Sequence, residues 1–252
     1  MQINKINNLL ELFYKQYQKK NKKNIFLKSL KEPQQKYSWE DVYLNINKLS
    51  EEISKHIKKG DRCLLVSENR PEWMISDLSI MLSGGITVPA YTTYVERDYE
   101  YIIDDCTPAI IIISNKTQYE KIQSIIPKKN FIKKVILFES IENINASFNL
   151  KIQDIFKRNN INNQNFFDLK IQRKDMACII YTSGTQGNPK GVMLSHGGIL
   201  NNCEGAHQLL KTFISKSPKF LTWLPLSHSY EHTVQFVQIV VGARVFYAES
   251  ID

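Results

Sequence analysis

The chain has 252 residues, 42% apolar and 23% charged, which is enough to bury a large core and excludes a disordered or fibrous protein. Lys and Arg outnumber Asp and Glu by 33 to 25, giving a net charge of +8; this balance favours anionic partners through long-range steering without calling for nucleic acid. Cys63, Cys106, Cys178 and Cys203 form no CxxC pair, so they are read as single buried thiols in a reducing, cytoplasmic setting.

Ile6, Leu9 or Leu10, Phe13 and Tyr17 recur at helical spacing and predict an amphipathic helix over 3–18, ending in the basic run Lys19 to Lys23. That helix either packs on its own domain or lies on an anionic membrane surface, which leaves peripheral membrane contact open. No apolar run approaches membrane-spanning length, and the N-terminus lacks the apolar centre of a signal peptide. Ser38-Trp39-Glu40-Asp41 reads as a capping box, followed by Val42, Ile46, Leu49, Ile53 and Ile57 on one helical face until Gly60.

Beyond Gly60, short apolar runs alternate with helical stretches, the pattern of βα units over a largely parallel sheet. Strands are expected at 62–67, 86–90, 109–114, 134–139, 177–182, 219–224 and 244–249. Helices are expected at 71–82, 96–105, 117–126, 150–158, 197–214 and 229–240. Trp39, Trp73 and the isoleucines at 102, 103 and 110–113 are read as core. Five Asn among residues 159–165 suggest a surface connection. The expected organisation is a first α/β part over 1–158, a connection over 159–176 and a second part over 177–252.

The stretch from Cys178 to Val192, CIIYTSGTQGNPKGV, runs an apolar strand into hydroxyls, glycines and one lysine. Gly184 and Gly187 permit backbone conformations that turn successive N–H groups inward as an anion nest. Thr182, Ser183 and Thr185 add hydroxyl donors, Gln186 an amide, and Lys190 a positive charge, so the loop suits phosphate. Pro189 restricts its own φ and pushes Asn188 toward an extended shape, which gives Lys190 a defined exit. The loop is not that of the P-loop NTPases, because Lys190 follows proline and precedes Gly191.

Tyr181 through His196 resembles the phosphate-binding signature of the adenylate-forming superfamily, with Gln186 standing where a second Thr is usual. Asn69-Arg-Pro-Glu-Trp73, Gly85-Ile-Thr-Val-Pro89, Leu224-Pro-Leu-Ser-His228 with Glu231, and Tyr247-Ala-Glu-Ser250 are similar to segments of bacterial long-chain fatty acid–CoA ligases. The resemblance implies an α/β fold of layered, mostly parallel sheets. It also implies use of ATP, Mg2+ and CoA, with a fatty acid adenylated and then passed to the thiol. By the same resemblance Thr182 helps to hold the metal, Lys190 acts in catalysis on the phosphates, and His228 lies beside the acyl carboxylate. Another acyl or aryl acid–CoA ligase, or a non-catalytic nucleotide- or partner-binding remnant, are the alternatives.

His228-Ser-Tyr-Glu-His232 also reads HxxEH, which on a helix would put two imidazoles on one face as in inverted zinc peptidases; a third ligand would have to come from the twenty residues that follow, with Glu249 formally available. The superfamily's later elements, namely an acidic magnesium motif, a ribose-binding aspartate and a C-terminal domain bearing the adenylation lysine, are not found before Asp252. The expectation is therefore an N-terminal fragment, inactive without the remaining C-terminal polypeptide.

Overall fold

The computed structural model describes residues 2–142, 144–145, 148–159, 170–182 and 189–248. A 3-10 turn at Ile3–Lys5 leads to α1 (Leu9–Lys19), β1 (Ile25–Ser29), β2 (Lys36–Ser38) and α2 (Trp39–Ser54). The alternating section follows with β3 (Arg62–Val66), α3 (Pro71–Leu82), β4 (Ile86–Ala90), α4 (Glu96–Cys106), β5 (Ile110–Ile113) and α5 (Lys116–Glu120). A second 3-10 turn at Ile126–Lys128 precedes β6 (Lys134–Leu137), β7 (Asn149–Lys151) and α6 (Ile152–Phe156). The described chain closes with β8 (Met176–Thr182), β9 (Lys190–Ser195), α7 (His196–Leu210), β10 (Lys219–Thr222), α8 (Ser229–Val241) and β11 (Arg244–Tyr247).

These strands form a seven-stranded sheet in the order β7-β6-β5-β3-β4-β8-β9 and a four-stranded sheet in the order β10-β11-β1-β2. Pairing is parallel except for β8 with β9 and β1 with β2, so the expected α/β architecture of mostly parallel sheets is what the chain adopts. Strands from both sides of 159–176 contribute to each sheet: β8 and β9 extend that of β3–β7, and β1 and β2 extend that of β10 and β11.

Side chains alternate across the larger sheet as a pleat requires. Cys63, Leu65, Ile110, Ile112 and Ile136 join one core, while Leu64, Val66, Ile111, Ile113, Val135 and Leu137 join a second. The first core also holds α1–α3, α7, α8 and the inner residues of β1 and β11; the second is covered by Tyr99, Ile102 and Ile103 of α4. Helix α3 touches β1, β3 and β4. Every one of its residues is buried, and it begins with Pro71 at the position where a missing N–H costs nothing.

Ser38 and Asp41 form the reciprocal box read from the sequence: Asp41 N–H donates to Ser38 Oγ at 3.1 Å and Ser38 N–H donates to Asp41 Oδ2 at 2.8 Å. The first predicted helix starts later than expected, because Asn8 accepts from the Glu11 N–H at 2.9 Å and caps α1 there. Ile6, Leu9, Leu10 and Phe13 are at most 1% exposed, so the apolar face of α1 is spent on the interior. Part of its basic end folds back, with Lys20 Nζ donating to the Gly242 carbonyl at 2.7 Å and Lys22 over the Tyr17 ring.

Two other expectations change. The region 117–126 is one short helix and a separate turn, and 150–158 opens as strand β7 before a single helical turn. Strands β1, β2 and β9 were not foreseen. All four cysteines are free and buried, and burial pushes the Cys106 and Cys203 thiols up to about 12. Among the described residues no helix is long and apolar enough to cross a membrane.

Candidate functional site

Strand β8 lies inside the larger sheet, parallel to β4, and ends at exposed Thr182. Ligands of open α/β sheets collect beyond such carboxyl ends. The chain returns antiparallel as β9, with Thr182 opposite Lys190, Tyr181 opposite Gly191 and Ile180 opposite Val192. Thr182 and Lys190 are thus held face to face at the mouth of a hairpin whose loop carries the remaining signature residues. Ser183, Gly184, Thr185, Gln186 and Gly187 lie outside the described residues. Lys190 itself is exposed.

Several signature residues prove to be structural. A Cβ on Gly191 would fall 2.9 Å from Ile179 and 3.3 Å from the Tyr181 ring, so cross-strand packing requires glycine there. The Tyr181 hydroxyl donates to Asp105 at the end of α4. Ser195 caps α7, accepting from the Gly198 N–H at 3.1 Å. His196 is buried under α1, whose Leu9 N–H reaches its Nδ1 at 3.4 Å. Burial lowers the His196 pKa to about 4.

His228 is exposed and caps α8, its Nδ1 accepting from the Tyr230 N–H at 3.2 Å. With Nδ1 an acceptor, a neutral ring carries its proton on Nε2 and presents a donor outward. The HxxEH spacing does not bring its histidines together. His232 is fully buried and turned to Asp77 of α3, Nε2 to Oδ2 at 3.0 Å, and Gln235 Nε2 donates to the same oxygen at 3.1 Å. Burial works against a charged His232 ring, but Cys178 and Asp77 beside it outweigh that cost and push its pKa up to about 10. Glu231 is 4% exposed, and burial, partly offset by a hydrogen bond with Thr222, raises its carboxyl to about 7.

A groove of about 700 Å³ runs between α7 and α8, within the range of ligand pockets. Its wall includes Leu194 of β9, Ala206 and Leu210 of α7, and Ser229, Tyr230 and Val234 of α8. It therefore extends from Leu194 of the hairpin strand to the first residues of α8, Ser229 and Tyr230, which directly follow His228. Sequence reading missed this groove because α8 has two apolar faces: Phe236, Ile239 and Val240 face the core, while Tyr230, Thr233, Val234 and Val237 line the groove. The i, i+3, i+4, i+7 spacing of the second set was the available signal.

Residues 13–252 match the AMP-binding enzyme family. The chain belongs to that family. Its relatives include the long-chain-fatty-acid–CoA ligase ACSBG2 of Rattus norvegicus, 34% identical over 188 residues, covering 72% of this chain and 28% of that protein. Fatty acyl-CoA synthetase A of Dictyostelium discoideum is 28% identical over 195 residues, covering 75% of this chain and 29% of that protein. The chain spans less than a third of the length of these two curated relatives. In fold it is similar to the natural red-emitting luciferase of Phrixothrix hirtus, with a TM-score of 0.82 at 18% identity, covering 98% of this chain and 47% of that one.

In this member of the family the segment Asn69–Trp73 acquires a physical account. Arg70 pairs with Glu72 at 3.0 Å and with Glu139 at 2.9 Å, and lies over the Phe138 ring. Glu72, fully buried, also accepts from the Tyr37 hydroxyl at 2.8 Å. Trp73 meets the His232 ring edge-on at 5.2 Å. Asn69 donates from Nδ2 to the Leu224 carbonyl at 2.8 Å and accepts from the Leu226 N–H at Oδ1 at 3.0 Å. Among the described residues no group of three or more His, Cys, Asp or Glu is placed to hold a metal ion. Mg2+ prefers oxygen ligands and is commonly held through substrate phosphates; the exposed Thr182 hydroxyl fits that arrangement as one ligand.

Proposed function

We propose that this chain carries the phosphate- and acyl-binding part of an AMP-forming long-chain fatty acid–CoA ligase. The observation that carries the reading is the pair of neighbouring elements: a hairpin that sets Thr182 against Lys190, and a largely apolar groove lined by Leu194 of that hairpin and by Ser229 and Tyr230, the residues that follow His228.

In the proposed reaction the fatty acid lies along the groove with its carboxylate at His228. The His228 Nε2–H donates to one carboxylate oxygen and orients the other toward the α-phosphorus of ATP. A bond forms from that oxygen to phosphorus, the bond to the β-phosphate bridging oxygen breaks, and pyrophosphate leaves. Lys190, with donors from Ser183, Gly184, Thr185, Gln186 and Gly187, stabilises the charge gathering on the β- and γ-oxygens. Magnesium, when bound, would neutralise part of that charge, with Thr182 among its ligands. The CoA thiolate then attacks the acyl carbonyl and AMP departs.

Groove size and lining favour a long aliphatic acid over a compact aryl acid. Peripheral contact with an anionic membrane would rest on the net charge of +8, since the apolar face of α1 is inside. The relatives' greater length supports a requirement for further polypeptide. Residues 1–252 alone are accordingly expected to make no acyl-adenylate, and the appearance of that product from this span would overturn the requirement. The complete ligase, given ATP, Mg2+ and a long-chain acid without CoA, should release pyrophosphate. Formation of ADP and inorganic phosphate instead would refute the assignment.

A further inference from the structure

Asn69 sits at the carboxyl end of β3, 8% exposed, and grips a turn more than 150 residues away in sequence. Its two hydrogen bonds go to the carbonyl of Leu224 and the N–H of Leu226, on either side of Pro225. Proline has no N–H of its own to anchor the turn. The His228 N–H then donates to the Pro225 carbonyl at 2.9 Å, and His228 opens α8. From Asn69 to the histidine there is one short, hydrogen-bonded path.

The residue type fits the task. An Asn amide carries one acceptor and a donor group side by side, matching the C=O and N–H it meets here. Aspartate would set a second acceptor against the Leu224 carbonyl, glutamine would be a methylene too long, and alanine would leave both backbone groups unpaired. The helix that follows, α3, holds α8: Trp73 and Asp77, four residues apart, contact His232, and Asp77 also contacts Gln235. The turn and the helix that together aim His228 are thus both gripped from 69–77.

We infer that Asn69 is a positioning residue for His228, fixing the turn so that the outward Nε2–H is aimed at the acyl carboxylate. The inference rests on the proposed ligase reading. Misplacement of a binding group by about an ångström can cost on the order of a hundredfold in rate, so the loss expected for Asn69→Ala in kcat/KM for the fatty acid is roughly ten- to a hundredfold.

The test is a double-mutant cycle in the complete ligase with Asn69→Ala, Asn69→Asp, His228→Ala and Asn69→Ala/His228→Ala. If Asn69 acts through His228, its replacement costs little more once the histidine is gone, and KM for ATP stays unchanged in the single variants. Additive losses, or equal rises in KM for ATP and for the acid, would show a general structural role and overturn the inference. A wild-type enzyme without acid-dependent pyrophosphate release would sink the ligase reading and this inference with it, whereas a His228→Ala enzyme at the wild-type rate would leave the ligase reading standing and overturn this inference alone. Folding is followed in the same proteins by amide exchange. The Leu226 amide, whose N–H donates to Asn69 Oδ1, should lose protection in Asn69→Ala while amides of α3 and β3 keep theirs, and an unchanged Leu226 amide in that variant would contradict the clamp.

Discussion

Removing Asp77 tests how α3 holds α8. Its carboxylate, His232 and Gln235 are all 0% exposed, and Asp77 Oδ2 accepts from both at 3.0 and 3.1 Å. Replacing one member of a buried ion pair leaves the other charge without a partner, which typically costs about 3–5 kcal/mol; Asp77→Ala should lose that much at pH 7, a large share of the roughly 5–15 kcal/mol that holds a domain together. The pH dependence gives a second, signed readout. The folded pKa of His232 is raised from 6.5 to about 10, so the folded state holds a proton that the unfolded chain releases. Its stabilising contribution is complete below pH 6.5 and is lost as pH rises through about 10. At about 1.4 kcal/mol per pKa unit, that contribution is bounded at about 5 kcal/mol. Asp77→Asn, which keeps an acceptor but removes the charge, should reduce the wild-type fall in stability between pH 6.5 and 10 by the Asp77 share, while the Cys178 share remains. Urea denaturation of the three proteins across that range measures both effects, and the ring resonances of His232, which should titrate near 10 in the wild type, should titrate lower in both Asp77 variants. An Asp77→Ala protein within 1 kcal/mol of wild type, or an Asp77→Asn protein with an undiminished slope, would refute the reasoning.

Glu231 should act in a lower window: its folded pKa is raised from 4.5 to about 7, so its contribution is present below pH 4.5 and lost as pH rises through 7, by at most about 3 kcal/mol. Glu231→Gln should remove that slope in urea titrations, and persistence of the slope would place its origin elsewhere. In α7, a Cβ at Gly197 would lie 2.8 Å from the Arg173 carbonyl, whereas nothing stands within 4 Å of one at Gly205. Gly197→Ala should therefore destabilise by about 1–3 kcal/mol and Gly205→Ala stabilise by roughly 0.5–1 kcal/mol, a reversal of order in their denaturation midpoints being the contrary result. In the complete ligase, Lys190→Ala should slow acyl-adenylate formation by roughly ten- to over a hundredfold, the worth of one charge-assisted hydrogen bond; a folded variant at the wild-type rate would take Lys190 out of the phosphate site.

Elements whose cause is local were legible in the sequence. The Ser38–Asp41 box starts α2, Pro71 starts α3, and the all-apolar run of β5 needs no distant partner to be recognised as a buried strand. The signature from Tyr181 to His196 likewise pointed to a strand and a loop, although neither the return strand β9, with Val192 and Met193 exposed, nor the structural duties of Gly191, Ser195 and His196 could be read from it. Strand β1 was invisible for the opposite reason. Its Ile-Phe-Leu run is short, and its place between β11 and β2 depends on pairing Leu27 with Val245. Strand order, the grip of Asn69 on Leu224 and Leu226, and the burial of His232 against Asp77 are of the same kind. Capping, turn chemistry and hydrophobic period depend on neighbours a few residues away, so the sequence alone determines them. A hydrogen bond between residues 69 and 226 exists only after two sheets and the helices between them have packed, and only the tertiary structure could decide it.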